Sequence, residues 1–204
     1  MTVSRALTMT MLLGFIGVAG CMSDYFTLPI DPAYRADSYL TCKNESGLLL
    51  AAESLFPTEK SEKYLRWDLK EDGYVPVVLY TNNRGKNSYL VMFSDVQLIL
   101  PNGTELSPTK AWDVFLDVKI PGLFVNSESD MKMNRDYQDK DFFRGRAGVR
   151  IGTGSNVAGV LFFRIPGDKE MTNLTDAVLK LHITREKSAG HAESMKFKTL
   201  VALE

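Results

Sequence analysis

The sequence predicts an all-β protein, a β-sandwich interrupted by a short helical or irregular excursion. Three observations predict it. Apolar residues recur with period two in short runs, as where Leu179, Leu181 and Ile183 alternate with Lys180, His182 and Thr184. Turn signals such as Asn82-Asn83-Arg84-Gly85 and Pro101-Asn102-Gly103-Thr104 separate those runs. No long amphipathic helix interrupts the pattern.

In chain order, Leu48 to Ala52 reads as a short buried strand. Pro57 to Leu69 holds Tyr64, Leu65, Trp67 and Asp68 among charges, which predicts one or two helical turns or a crossing loop. The strongest strand is Tyr74 to Tyr80, with Val75, Val77 and Leu79 on one face. Pro76 cannot donate to a ladder, so an edge portion is expected there. Tyr89 to Phe93 and Val96 to Leu100 follow as two strands, and Asn102-Gly103 closes a hairpin because those residues accept positive φ. Ser107-Pro108 predicts an N-cap with proline at the first helical position, opening a helix around Thr109 to Val118. Residues 126–146 are charged and poor in β-branched residues, an excursion from the sandwich. Strands resume at Val157 to Ile165, Ala177 to Thr184 and Met195 to Leu203.

The chain has 204 residues, 45% hydrophobic and 10% aromatic, enough for one packed domain. Its 24 basic and 25 acidic side chains include no basic block, so there is no electrostatic reason to expect nucleic-acid binding. No run after the N-terminal segment reaches the roughly 18–20 apolar residues that span a bilayer. That segment stands apart: Arg5 precedes an apolar stretch from Leu7 to Val18, and Val18-Ala19-Gly20 leads into Cys21. It resembles the lipobox of bacterial lipoproteins. The resemblance implies that residues 1–20 are a signal peptide, that Cys21 becomes the amino terminus and carries the acyl chains, and that palmitate labels it. It also implies a membrane contact made through that lipid, in the cell envelope. Met22 rather than aspartate follows the cysteine, which by analogy with Gram-negative sorting favours the outer membrane. The alternative is ordinary secretory cleavage, which leaves a Cys21–Cys42 disulfide open. With Cys21 lipidated, Cys42 is expected as an inert thiol at a half-buried strand position.

Residues 21–37 have no period and two prolines and read as a tether, with the domain proper at 38–204 and its excursion at about 107–147. Three stretches, DGYVPVVLYTNNRG, FSDVQLILPNGTEL and SNVAGVLFFRIPGD, resemble the immunoglobulin-like module of bacterial lipoproteins and secreted antigens. The resemblance implies an immunoglobulin-like β-sandwich outside the cytoplasm and carries no shared catalytic residues.

Residues that could carry chemistry read as structural. His182 sits on the solvent face of a strand and His191 in a loop, and neither has a local nucleophile. Cys42, His182 and His191 lack metal-ligand spacing, and Asp24, Asp31 and Asp37 are too scattered, so no metal or cofactor is expected. Gly152-Thr153-Gly154-Ser155 precedes a strand, where a phosphate loop would open a helix. Ser107-Pro108-Thr109-Lys110 matches Ser-x-x-Lys without its companion motifs. The acids Asp130, Asp136, Asp139 and Asp141 are answered by Lys132, Arg135, Lys140, Arg144 and Arg146.

The expected function is therefore binding or assembly at the envelope, with a protein or polymer partner and no enzymatic activity. An envelope-polymer hydrolase and a small-ligand carrier are the alternatives. Partner contacts are expected on the excursion, through Trp112, Phe115, Arg135, Phe142, Phe143 and Arg144, because aromatics and arginine dominate interface hot spots.

Overall fold

The computed structural model describes residues 36, 42–65, 67–118, 135–136, 138–166, 174–186 and 192–202. The segment from Val18 to Cys21, Phe124 and His191 lie outside them. The strands are β1 (Lys43–Glu45), β2 (Leu48–Ser54), β3 (Tyr74–Asn83), β4 (Ser88–Ile99), β5 (Glu105–Leu106), β6 (Pro108–Thr109), β7 (Gly148–Ile151), β8 (Asn156–Arg164), β9 (Val178–Glu186) and β10 (Ala192–Ala202). Two short helices are α1 (Thr58–Leu65) and α2 (Ala111–Asp117).

A first sheet runs β1-β2-β3-β8-β6 and a second β5-β4-β9-β10, all antiparallel, with β7 also paired to β4. The end of β10 joins them, pairing parallel with β2 through Val201↔Ala52. The main core fills the space between the sheets. Leu50, Val77, Leu79, Leu161 and Phe163 of the first meet Val91, Leu98, Leu179, Leu181, Ile183 and Phe197 of the second. Each such side chain contributes about 1.5–3 kcal/mol when fully buried.

The sequence pattern explains which sheet faces water. β2 and most of β3 are buried on both faces, and their sequences are near-continuous apolar runs. A second cluster explains this: Leu49, Ala51, Val78, Tyr80 and Phe162 point away from the second sheet and pack under Leu65, Leu69, Ala111 and Val114. Ala36, inside the stretch read as a tether, is also buried in this cluster. β9 instead alternates, as expected for a sheet with only its inner face covered.

Three elements differ from expectation. The two strands expected across 89–100 are one strand, β4, broken by an irregularity: between Val91 and Val96 it advances five residues while β9 advances only from Ile183 to Leu181. Ser107 does not cap α2. Pro108 and Thr109 pair with Phe163 and Phe162 as an edge strand, which tolerates the missing proline N–H, and Lys110 takes the N-cap position without a side-chain bond. β3 is an interior strand, yet Pro76 fits it for a local reason. Its carbonyl accepts from Leu55 N (2.9 Å), so its nitrogen faces the side where β2 has already ended at Ser54↔Val77.

Candidate functional site

The surplus residues of β4 open a cleft at the side of the second sheet. Phe93 N donates to Ala147 O (2.9 Å), which ties the bulge to the segment between α2 and β7. That segment is fastened on its other flank as well: Phe142 N donates to Val160 O (3.0 Å), beside a bridge between Asp141 and Val160. Gly159 makes the crossing possible. A Cβ there would lie 2.5 Å from the Cα of Phe142, a distance real Cβ atoms essentially never show.

Asp141 shapes the turn that follows. Its two carboxylate oxygens accept from Phe143 N (3.2 Å) and Gly145 N (3.1 Å), holding Arg144 and Gly145 at positive φ. Burial pushes its pKa above the ordinary 3.8, against the opposing pull of the Gly145 and Phe143 N–H groups. The cavity beside it measures about 340 Å³, with Met92, Phe93 and Phe143 as an apolar floor and Ser94, Lys110 and Arg146 around it. Phe93 and Phe142 each meet Phe143 edge to face at 5.2 Å. Arg146 and Lys110 are exposed, and neither has an ion-pair partner among the described residues. The arrangement suits an apolar group carrying negative charge. Asp141 is the one acid lining the cavity among the described residues, without the second carboxylate that glycoside cleavage pairs with it.

The six aromatic and arginine residues expected at a partner surface divide. Phe115, Phe142 and Phe143 are 3%, 2% and 1% exposed, so their rings serve packing, and Phe143 also borders the cleft as part of its apolar floor. Trp112 is 41% exposed, its ring 5.7 Å from that of Phe115, and Arg135 and Arg144 are exposed. Gly152 to Ser155 form a turn between β7 and β8, with Gly154 N donating to Asn83 O (2.8 Å). Cys42 is half-buried against the second cluster. Among the described residues no three His, Cys, Asp or Glu side chains gather as metal ligands, and no helix is long and apolar enough to cross a membrane. Between the sheets, the described side chains of the main cluster pack against one another.

Asn83 went unread beyond its place in a turn. It is fully buried, and its amide donates to the carbonyls of Asn87 (2.8 Å) and Gly152 (2.9 Å) while its oxygen accepts from Gly85 N (3.0 Å). Only its position in an Asn-Asn-x-Gly turn signalled it.

No family model matches the chain, and no curated protein does. Among solved structures it is similar to the yjhA protein of Bacillus subtilis, at 13% identity and a TM-score of 0.36, covering 80% of this chain and 96% of that one. It is also similar to ycdA, a candidate lipoprotein of Bacillus subtilis subsp. subtilis strain 168, at 16% identity and a TM-score of 0.34 over 77% of this chain and 38% of that one. A DUF4426 family protein of Pseudomonas aeruginosa PAO1 follows at 10% identity and a TM-score of 0.30, over 80% and 98%. These values are low, and what the chain can do is read from its own residues.

Proposed function

We propose that this chain is a lipid-anchored envelope protein whose immunoglobulin-like domain binds another envelope component through the cleft beside the β4 bulge. The cleft carries the reading: an apolar floor of Met92, Phe93 and Phe143 lies beside the cations of Lys110 and Arg146. Binding and catalytic residues concentrate on irregular segments held by a rigid scaffold, and bulges re-aim side chains at such places. The immunoglobulin-like reading is supported by strand order. β2, β3, β8 and β6 occupy the places of strands A, B, E and D, and β4, β9 and β10 those of C, F and G. The anchor is supported by Val18-Ala19-Gly20-Cys21 after its apolar run, and one acyl chain holds only marginally, so two or three are expected.

The test is photo-crosslinking from a probe at Ser94 in cells, in the native chain and in a Lys110→Glu/Arg146→Glu variant. One discrete adduct, lost in the variant while palmitate labelling and outer-membrane fractionation are kept, supports binding at the cleft. Adducts of equal yield in both proteins reject it. Continued palmitate labelling of Cys21→Ser rejects the anchor.

A further inference from the structure

The outer face of the second sheet, over which neither α1 nor α2 packs, carries an ordered pattern of side chains. Reading across β4, β9 and β10 by register, Ile99, Val178 and Leu200 form one row. Gln97, Lys180 and Lys198 form the next, and His182 opposite Lys196 the one after, where the β4 bulge leaves no partner. Leu200 is 47% exposed, and Lys196 and Lys198 are exposed. Lys180 and Lys198 therefore sit directly opposite each other with Lys196 in the adjacent row, an arrangement of like charges that opposes folding.

Among the described residues little offsets that repulsion. Glu105 lies 3.7 Å from Lys180, and Glu186 is taken by Arg150. Lys196 and Lys198 have no ion-pair partner among the described residues, and the Nε2 atom of His182 is buried with no hydrogen-bond partner among them. The rows call for an anion supplied from outside, next to an apolar surface.

We propose that this face docks on an anionic phospholipid surface, with Lys180, Lys196 and Lys198 at the phosphates and the Ile99-Val178-Leu200 row at the headgroup–acyl boundary. A basic array bordering the exposed Leu200 and the half-buried Ile99 and Val178 is of the composition that binds such interfaces. The inference rests on the lipid-anchored reading, which puts the bilayer within reach. Ala36 is buried in the domain fifteen residues from Cys21, and that length of chain extends to at most roughly 50 Å. Docking would fix which side of the domain looks away from the membrane.

The full-length lipidated protein is reconstituted into phosphatidylglycerol vesicles and into phosphatidylcholine vesicles, and amine acylation of each lysine is followed by mass spectrometry. Lys180, Lys196 and Lys198 should label several-fold more slowly on phosphatidylglycerol, while Lys43 and Lys70 label alike on both. The difference should vanish in about 1 M salt, where the Debye length is roughly 3 Å. In Lys196→Glu/Lys198→Glu, with circular dichroism confirming the fold, Lys180 should label equally on both vesicles, since each lysine contributes about fivefold in affinity. Equal rates for the native protein overturn the proposal. So does protection by soluble polyphosphate without protection by vesicles, which would assign the face to a phosphate polymer. An intact mass without acyl chains fails the anchored reading separately, and the non-acylated full chain is then tested by vesicle co-sedimentation.

Discussion

Gly159→Ala tests whether the segment before β7 is fastened to β8 as described. The added methyl would meet three backbone atoms: the Cα of Phe142 at 2.5 Å, its nitrogen at 2.7 Å and the carbonyl oxygen of Lys140 at 2.9 Å. None is the end of a flexible side chain, so the crossing segment itself must move. That movement strains the Phe142 N to Val160 O bond (3.0 Å) and disturbs the Phe142–Phe143 packing. Overpacking costs about 1–3 kcal/mol, and backbone against backbone belongs at the upper end. At about 2–4 °C per kcal/mol for a domain of this size, the melting temperature should fall by roughly 5–10 °C. Thermal and urea unfolding followed by circular dichroism measure it. Gly152→Ala is the control, because its Cβ would meet nothing closer than 3.9 Å and a near-neutral change, within about 0.5 kcal/mol, is expected. If Gly159→Ala matches that control, the segment does not lie over β8 and the cleft loses one of its walls.

Two further outcomes follow from the buried polar groups. Asp141→Ala removes the acceptors of Phe143 N and Gly145 N and should cost about 1–3 kcal/mol in urea unfolding. Because burial raises the pKa of Asp141 in the folded state, the native protein binds that proton more tightly than the unfolded chain does. Its stability relative to Asp141→Asn should be constant below the ordinary 3.8 and decline as pH rises through the raised value, and a difference that grows with pH would refute the assignment. The Tyr74 hydroxyl donates to Asp117 at 2.6 Å, and burial together with that bond holds its pKa above the usual tyrosine range. Spectrophotometric titration should show it ionising only at higher pH than tyrosine in denaturant, and Tyr74→Phe should cost about 1 kcal/mol.

The strands were legible because each face has its own arithmetic. Period-two alternation marked β9, and Val75, Val77 and Leu79 on one face marked β3, while its cover on both faces and its interior place came only from folding. What escaped depended on long-range placement. Nothing local to Phe142 and Phe143 says that a segment far from β8 in sequence will be pinned on it by Asp141, so two aromatics that look like anchors for a partner are core. The β4 bulge was read as a gap between strands because Phe93-Ser94-Asp95 breaks the alternation, and only its pairing with β9 shows the chain continuing. Pro108 satisfied a helix-start rule and an edge-strand rule equally, and the tertiary contact with Phe163 decided between them. Of the candidate site, Arg146 and Asp141 were visible as charges, while Met92, Phe93 and Lys110 joined them only through folding.

The parallel pairing of β10 with β2 has a consequence in time. Val201 and Ala52 meet across a long stretch of chain, and Phe197 and Val201 complete the core from β10. Until those residues are available, the Ala52–Glu53 end of β2 is unpaired on the side away from β3 and the second sheet lacks its outer strand. Such non-local closure makes for slow folding. A polypeptide built this way stays open at this seam and locks only once β10 is in place.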